Sequence, residues 1–264
     1  MKYSPNRTFY LMDGRLRCVF AGWPNNHNLR EGACQGAFGR VVDLGKKIGA
    51  KRVFAPMPGF TNRFYHADDH RDVIYMMRGV DLLRTRELAD GGMVQDYQTA
   101  MMFAPADCHT VMVLDPKSKW WFMGHLGLEC LLHHETVLAR AVKNAPAKPR
   151  DLLLVAGFGI GPCCNGYHDE HGHIISVGER YSKIITGDRV KNGPRVGQVA
   201  FDNLAAIKEH ATDLGFPAQN CQYLEACTAC YGAKNGSGGA FHSNIYDQGG
   251  NLGGRNCFMA IRVG

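Results

Sequence analysis

The chain has 264 residues, 45% of them hydrophobic and 20% charged, with a formal net charge of +6. That composition supports a substantial buried core and excludes disordered and collagen-like chains. No run approaches the ~18 apolar residues that cross a bilayer, and the opening Met-Lys-Tyr-Ser-Pro-Asn-Arg lacks the apolar core of a secretory signal.

A cytoplasmic protein without membrane contact is therefore expected. Ten cysteines in a reducing compartment read as free thiols, a few of them recruited for metal binding or catalysis. The basic residues are scattered and do not interleave with aromatics, which argues against nucleic acid and leaves a small, partly anionic substrate as the expected partner. Nothing in the composition specifies an oligomeric state.

Short apolar runs alternate with amphipathic segments, as in mixed α/β proteins. A first helix is expected over residues 33–48, with Ala37, Val41, Leu44 and Ile48 on one face. Strands follow at 52–55, 72–77, 100–104, 110–114 and 120–123. A second helix is expected from about Leu126, carrying Leu128, Leu131, Leu132, Leu138 and Val142 at helical spacing. A strand at 152–156, a third helix at 202–214 stopped by Gly215, and a last strand at 258–263 complete the reading. The glycine-rich stretches 232–239 and 249–254 read as loops.

The most informative pair is Cys108 and His125. Between them lie the apolar runs 110–114 and 120–123, joined by the turn Asp115-Pro-Lys-Ser-Lys119. A thiol just before the first strand and an imidazole just after the second emerge at one end of the hairpin. Sulfur and nitrogen together suit zinc or a cysteine-based hydrolase. The bland alternative is a buried structural cysteine beside an unrelated histidine. With His125 at the start of the second helix, the helix N-terminus would favour an anion nearby.

Further on, residues 152–164 read as a buried strand running into Gly159-Ile-Gly-Pro-Cys-Cys164. Pro162 rules this out as a dinucleotide fingerprint, because it stands where a helix N-terminus should cradle the pyrophosphate. Cys227-Thr-Ala-Cys230 is a lone CxxC, which with Cys163 and Cys164 can form a four-thiolate zinc or iron–sulfur site or remain as free thiols. His168, His171 and His173 read as a metal cluster or a solvated loop. His133 and His134, expected mid-helix, diverge by ~100° and do not share a ligand easily.

The ordered motifs Ala106-Asp107-Cys108, Gly124-His125-Leu126-Gly127 and Gly159-Ile-Gly-Pro-Cys-Cys164, with Cys227-Thr228, Phe241-His-Ser243 and Gly254-Arg-Asn256 after them, resemble the laccase-domain family. This family is also called multicopper polyphenol oxidoreductase or, in bacteria, peptidoglycan editing factor. The resemblance covers residues 90–263. It implies a single layered α/β (α+β) domain over 1–264, with mixed sheets covered by helices.

It also implies a zinc centre of two histidines and one cysteine. Cys108 and His125 match two of the ligands, and His70, with His66 as its rival, stands for the third. This N/N/S set suits Zn2+ better than copper. Zinc would provide an activated water near neutral pH, while Asp107 or Asp90 would orient a ligating histidine or shuttle a proton. Arg255 would hold phosphate. Family members are credited with adenosine phosphorolysis and deamination and with trimming muropeptides, so a purine nucleoside or related polar molecule is the implied substrate.

Two alternatives stand beside this: Cys108 as a nucleophile activated by His125 in an amidase or deamidase, and an inactive homologue that binds a metal or metabolite. Departures from the family pattern include Leu128-Glu129 in place of Trp-Arg, and Ser243-Asn-Ile-Tyr246 in place of Ser-Tyr-Arg-Arg.

Overall fold

The computed structural model describes residues 7–22, 25, 27, 29, 36–69, 73–77, 79–167, 179–192, 195–230, 243 and 255–264. With strands numbered along the chain, one sheet runs in the order β1 (Thr8–Leu11), β2 (Leu16–Ala21), β16 (Cys257–Arg262), β8 (Thr99–Phe103), β3 (Arg52–Met57), β6 (Val80–Leu88) and β5 (Val73–Met77). A second runs β15 (Cys221–Cys227), β11 (Leu153–Gly159), β9 (His109–Leu114), β10 (Trp121–Leu126), β7 (Gly91–Val94) and β4 (Phe64–His66). A small third sheet holds β12 (Gly166–Tyr167), β14 (Val199–Phe201) and β13 (Ile185–Arg189). Both large sheets are mixed: β3 is parallel to β6 and β8, and β11 to β15, whereas β9 is antiparallel to β10 and β11.

The two large sheets face each other, and side-chain alternation along the strands shows it. Met112 and Leu114 of β9 point into the space between them, with Trp121, Met123, Phe54, Met101, Phe103 and Phe258. Val111 and Val113 point the other way, toward a helical layer. That layer contains α3 (Val137–Lys143) and α4 (Asn203–Asp213), which supply Leu138, Ala141, Leu204, Ile207 and Ala211. On the far face of the first sheet, α1 (Ala37–Lys47) packs Ala37, Val41, Val42 and Leu44 against Val53, Leu82, Ala100 and Met259. The result is a helix–sheet–sheet–helix stack in which β8, β9, β10 and β16 are buried on both faces and so read as continuous apolar runs.

The expected helices at 33–48 and 202–214 appear as α1 and α4, the latter capped by Asp202, whose carboxylate accepts from the Ala205 amide. The second expected helix is different. Leu126 still belongs to β10, and the helical stretch divides into α2 (Leu128–Leu132) and α3, with His133 extended between them. Two groups stabilise the break. Thr136 caps α3 by accepting from the Ala139 amide, and Arg180 donates to the carbonyls of Leu131 and His134 that a continuous helix would have used.

Consequently His133 and His134 are not mid-helix, and His125 lies within a strand. No helix among the described residues is long and apolar enough to cross a membrane. The glycine-rich loops, His70, and the His168, His171 and His173 cluster lie outside the described residues.

Candidate metal centre

β9 and β10 form the expected hairpin, with His125 opposite Thr110 and Leu126 opposite His109. Cys108 precedes β9 directly, so its sulfur meets the His125 ring at the end of the sheet. Gly127 sits against both. A Cβ there would lie 3.0 Å from Cys108 Sγ and 3.5 Å from His125 Cε1. A glycine lets the backbone pass this close without pressing on the sulfur.

His125 is 4% exposed, and a carboxylate holds its ring. Asp90 Oδ1 lies 3.2 Å from His125 Nδ1, and the Asp90 carbonyl accepts the His125 amide at 2.7 Å. Asp90 is itself fully buried, in the connection between β6 and β7. The segment 59–62 wraps around its carboxylate: the amides of Gly59, Phe60, Thr61 and Asn62 all donate to it, as does the Thr61 hydroxyl. Phe60 and Asn62 adopt φ of 56° and 53° to make this possible. Successive amides aimed at one anion form a nest.

Burial acts against the Asp90 charge, but His125 and the nest amides outweigh it and hold its pKa at about 2. Burial likewise pushes His125 down. The Cys108 sulfur and the Asp90 carboxylate reverse that and carry its pKa well above the ordinary value.

With Asp90 on Nδ1, Nε2 is the nitrogen that would serve a metal once the ring gives up its second proton, the arrangement that orients ligating histidines in zinc proteins. Cys130, on α2, places its sulfur 3.9 Å from His125 Nδ1. Asp90, His125 and Cys130 together bring donor atoms within 4.8 Å of one another. Asp90 has already spent its lone pairs on five donors and His125, so its chemistry here is orientation rather than ligation.

Cys108, His125, Asp107 and Arg255 all line a cavity of about 340 Å³ whose other walls include Phe60, Phe103, Met57 and Pro105. The Phe60 ring stands edge-on to His125 at 5.3 Å, and Phe103 lies at 6.4 Å. The Asp107 carboxylate accepts from the Thr228 hydroxyl at 2.8 Å. The Arg255 carbonyl accepts the buried His27 amide at 3.0 Å.

His66 is directed elsewhere: its Nδ1 accepts the Asp68 amide at 3.1 Å, and it registers with Met93, which faces Phe122 rather than His125. His125 is a strand residue and not, as the sequence suggests, the start of a helix; the helix that follows, α2, begins at Leu128 and has five residues.

Sequence reading missed Cys130, Phe60 and the nest. The Pro58-Gly59-Phe60-Thr-Asn62 run signals a turn, but nothing local says that it wraps a carboxylate some 30 positions on.

Residues 51–254 match the family described as multi-copper polyphenol oxidoreductase laccase. In sequence, no curated protein matches the chain significantly. In fold, it is similar to the Neisseria meningitidis protein NMB0706 of family DUF152, with a TM-score of 0.69 and 14% identity over 95% of each chain. It is similar also to YlmD from Geobacillus stearothermophilus, with a TM-score of 0.68 and 16% identity over 94% of this chain and 92% of that one. The Bacillus licheniformis hypothetical protein YfiH gives a TM-score of 0.64 and 16% identity over 94% and 93%. These structures establish the mixed α/β fold, and the family match covers most of the chain. The chain belongs to the multi-copper polyphenol oxidoreductase laccase family.

Proposed function

We propose that the chain is a zinc-dependent enzyme acting on purine nucleosides, by phosphorolysis or deamination, in the cavity beside Cys108 and His125. The observation that carries this reading is the ordered contact of Asp90 with His125 and of His125 with Cys108 at the wall of that cavity. A soft sulfur and an oriented imidazole fit zinc better than copper redox chemistry, which calls for further histidines. The resemblance offers His70 as the third ligand, with His66, whose Nδ1 accepts the Asp68 amide, as its rival. Bound zinc contributes Lewis acidity at neutral pH.

The chain's own groups do the rest. Asp90 holds the His125 tautomer. Phe60 and Phe103 provide flat apolar walls that suit a base and exclude water. Arg255 receives phosphate or another anionic group, and Asp107 transfers a proton to or from the substrate.

The test is metal content and nucleoside turnover, with and without phosphate, for the native sequence, Cys108→Ala and His125→Ala. Loss of one metal equivalent together with turnover supports the reading. Full turnover in Cys108→Ala, or in metal-free protein, would sink it. A muropeptide library run in parallel separates the nucleoside from another polar substrate.

The Cys108–His125–Asp90 order also favours a second reading, a cysteine amidase or deamidase. A protonated imidazole beside a thiol promotes thiolate chemistry. Stoichiometric iodoacetamide alkylation of Cys108 in protein as purified, without a chelator, selects this reading, and protection by zinc selects the first.

A further inference from the structure

A second group of metal-ligating side chains lies away from His125. Cys163 and Cys164 follow β11, and Cys227 and Cys230 close and follow β15. These strands are parallel neighbours, with Gly159 in register with Cys227. Both strands therefore run out at the same end of the sheet and their continuations turn toward each other. The Cys163 and Cys230 sulfurs lie 3.3 Å apart and those of Cys164 and Cys230 3.5 Å apart, and all four sulfurs fall within 4.8 Å of one another.

We propose that Cys163, Cys164, Cys227 and Cys230 form a structural zinc site, a second metal centre independent of Cys108 and His125. Four thiolates at a Zn–S distance of about 2.3 Å on a tetrahedron lie roughly 3.8 Å apart. The four sulfurs need only small movements to reach that spacing. A multi-iron cluster spreads its ligating sulfurs farther, because each thiolate binds a different iron or a different side of the cluster. The close packing thus favours a single ion.

The surroundings match this chemistry. The amides of Gly161 and Cys230 donate to the Cys227 sulfur, as amides do around zinc-bound thiolates to spread their negative charge. The turn at Gly161–Asn165 is closed by hydrogen bonds from the Cys164 and Asn165 amides to the Gly161 carbonyl, at 3.0 Å each. The Lys191 and Asn192 amides bind the Cys163 carbonyl. Both cysteine pairs are therefore held in shaped turns. Binding Zn2+ displaces up to four thiol protons and leaves a dianionic centre.

The position also gives the ion a role. Thr228, between the two cysteines of the CxxC, donates its amide to the Gly159 carbonyl at 3.0 Å and its hydroxyl to Asp107 at 2.8 Å. The Ile160 amide binds the Asp107 carbonyl at 2.8 Å. Zinc here clamps the two turns that together hold Asp107, the residue next to Cys108. This is a positioning role, exerted through the backbone.

The test uses the full chain, purified under reducing conditions and stripped of metal. In the Cys108→Ser background, which removes the other site's thiolate, anaerobic titration with Co2+ is expected to give intense thiolate charge-transfer and tetrahedral d–d absorption saturating at one equivalent. Adding Cys164→Ser or Cys230→Ser is expected to abolish that form of the spectrum. Peptide-mapped alkylation of the native sequence provides a check that needs no variant. Zinc should slow iodoacetamide labelling of the half-buried Cys163 and Cys230 at least tenfold, and chelation should restore it.

Equal labelling with and without zinc overturns the proposal, whatever the variants do. So does a cobalt spectrum lacking thiolate charge transfer, or a Cys163–Cys230 disulfide in protein taken from a reducing cytoplasm. Turnover by the native sequence does not enter these readouts, so this proposal and the assignment at His125 fail separately.

Discussion

The carboxylate of Asp90 lies 3.2 Å from Nδ1 of His125, and the Asp90 carbonyl accepts the amide of the same histidine. Both contacts join the β6–β7 connection to β10. One buried acid thus sets the position of the strand and the orientation of the ring it carries.

Replacing that acid should affect both stability and metal binding. In Asp90→Asn, an amide NH2 meets amides that previously donated to a carboxylate. Unsatisfied buried donors cost about 1–3 kcal/mol each, so urea denaturation should show a loss of at least ~2 kcal/mol. If His125 ligates zinc, competition titration should show affinity falling roughly 10–100-fold, the usual effect of removing a histidine's carboxylate partner. Unchanged affinity in a folded Asp90→Asn protein would separate Asp90 from the metal centre.

Gly127→Ala tests the close approach at the site. The new methyl would stand 3.0 Å from Cys108 Sγ and 3.2 Å from the Phe60 ring, so one of these must shift. Displacing a reacting group by a fraction of an ångström is expected to lower kcat roughly tenfold or more, with a Tm change of only a few degrees. Wild-type kcat in this variant would show that Cys108 can move without consequence.

Phe60 forms part of the cavity wall and is 39% exposed. Its ring contributes contact area, while its amide, which binds Asp90, survives substitution. Phe60→Ala is therefore expected to raise KM several-fold with kcat little changed, the pattern of an interaction equal in ground and transition states. A matching fall in kcat would instead give the ring a part in the reaction step.

Acid stability should report two histidines outside the site. Burial lowers the pKa of His109 to about 4, and burial with Arg180 lowers that of His210 to about 4. Between those values and the unfolded value of about 6.5 the unfolded chain binds more protons, so stability falls as pH drops through this window. Each histidine should contribute on the order of 2–3 kcal/mol to that loss by its lower end. Thermal melts from pH 7 to 4.5 should show a steep decline in Tm that becomes shallower in His109→Leu. An unaltered slope would assign the acid sensitivity to other groups.

Local pattern was enough for much of the frame. The β9–β10 hairpin, α1, α4 and β16 follow from apolar spacing and turn residues. So does the meeting of Cys108 and His125, because a tight hairpin brings its two ends together. β6 escapes the same reading, since Asp81, Arg84 and Glu87 interrupt its apolar residues, although it lies inside the first sheet between β3 and β5. The split into α2 and α3 is equally illegible: leucines at helical spacing continue through it, and the break depends on Arg180, some 45 positions further on.

The sequence by itself therefore determined the hairpin, its Cys–His pair, and the mixed α/β character that its alternating segments indicate. Only the tertiary structure decided which carboxylate serves His125 and which cysteines meet. Asp90 reaches the ring because β7 pairs with β10, placing Gly91 opposite Gly124. Cys163 and Cys164 reach Cys227 and Cys230 because β15 adds parallel to β11, bringing both strands out at one end of the sheet. Strand order is set by burying apolar faces over the whole molecule, and no local run of residues records it.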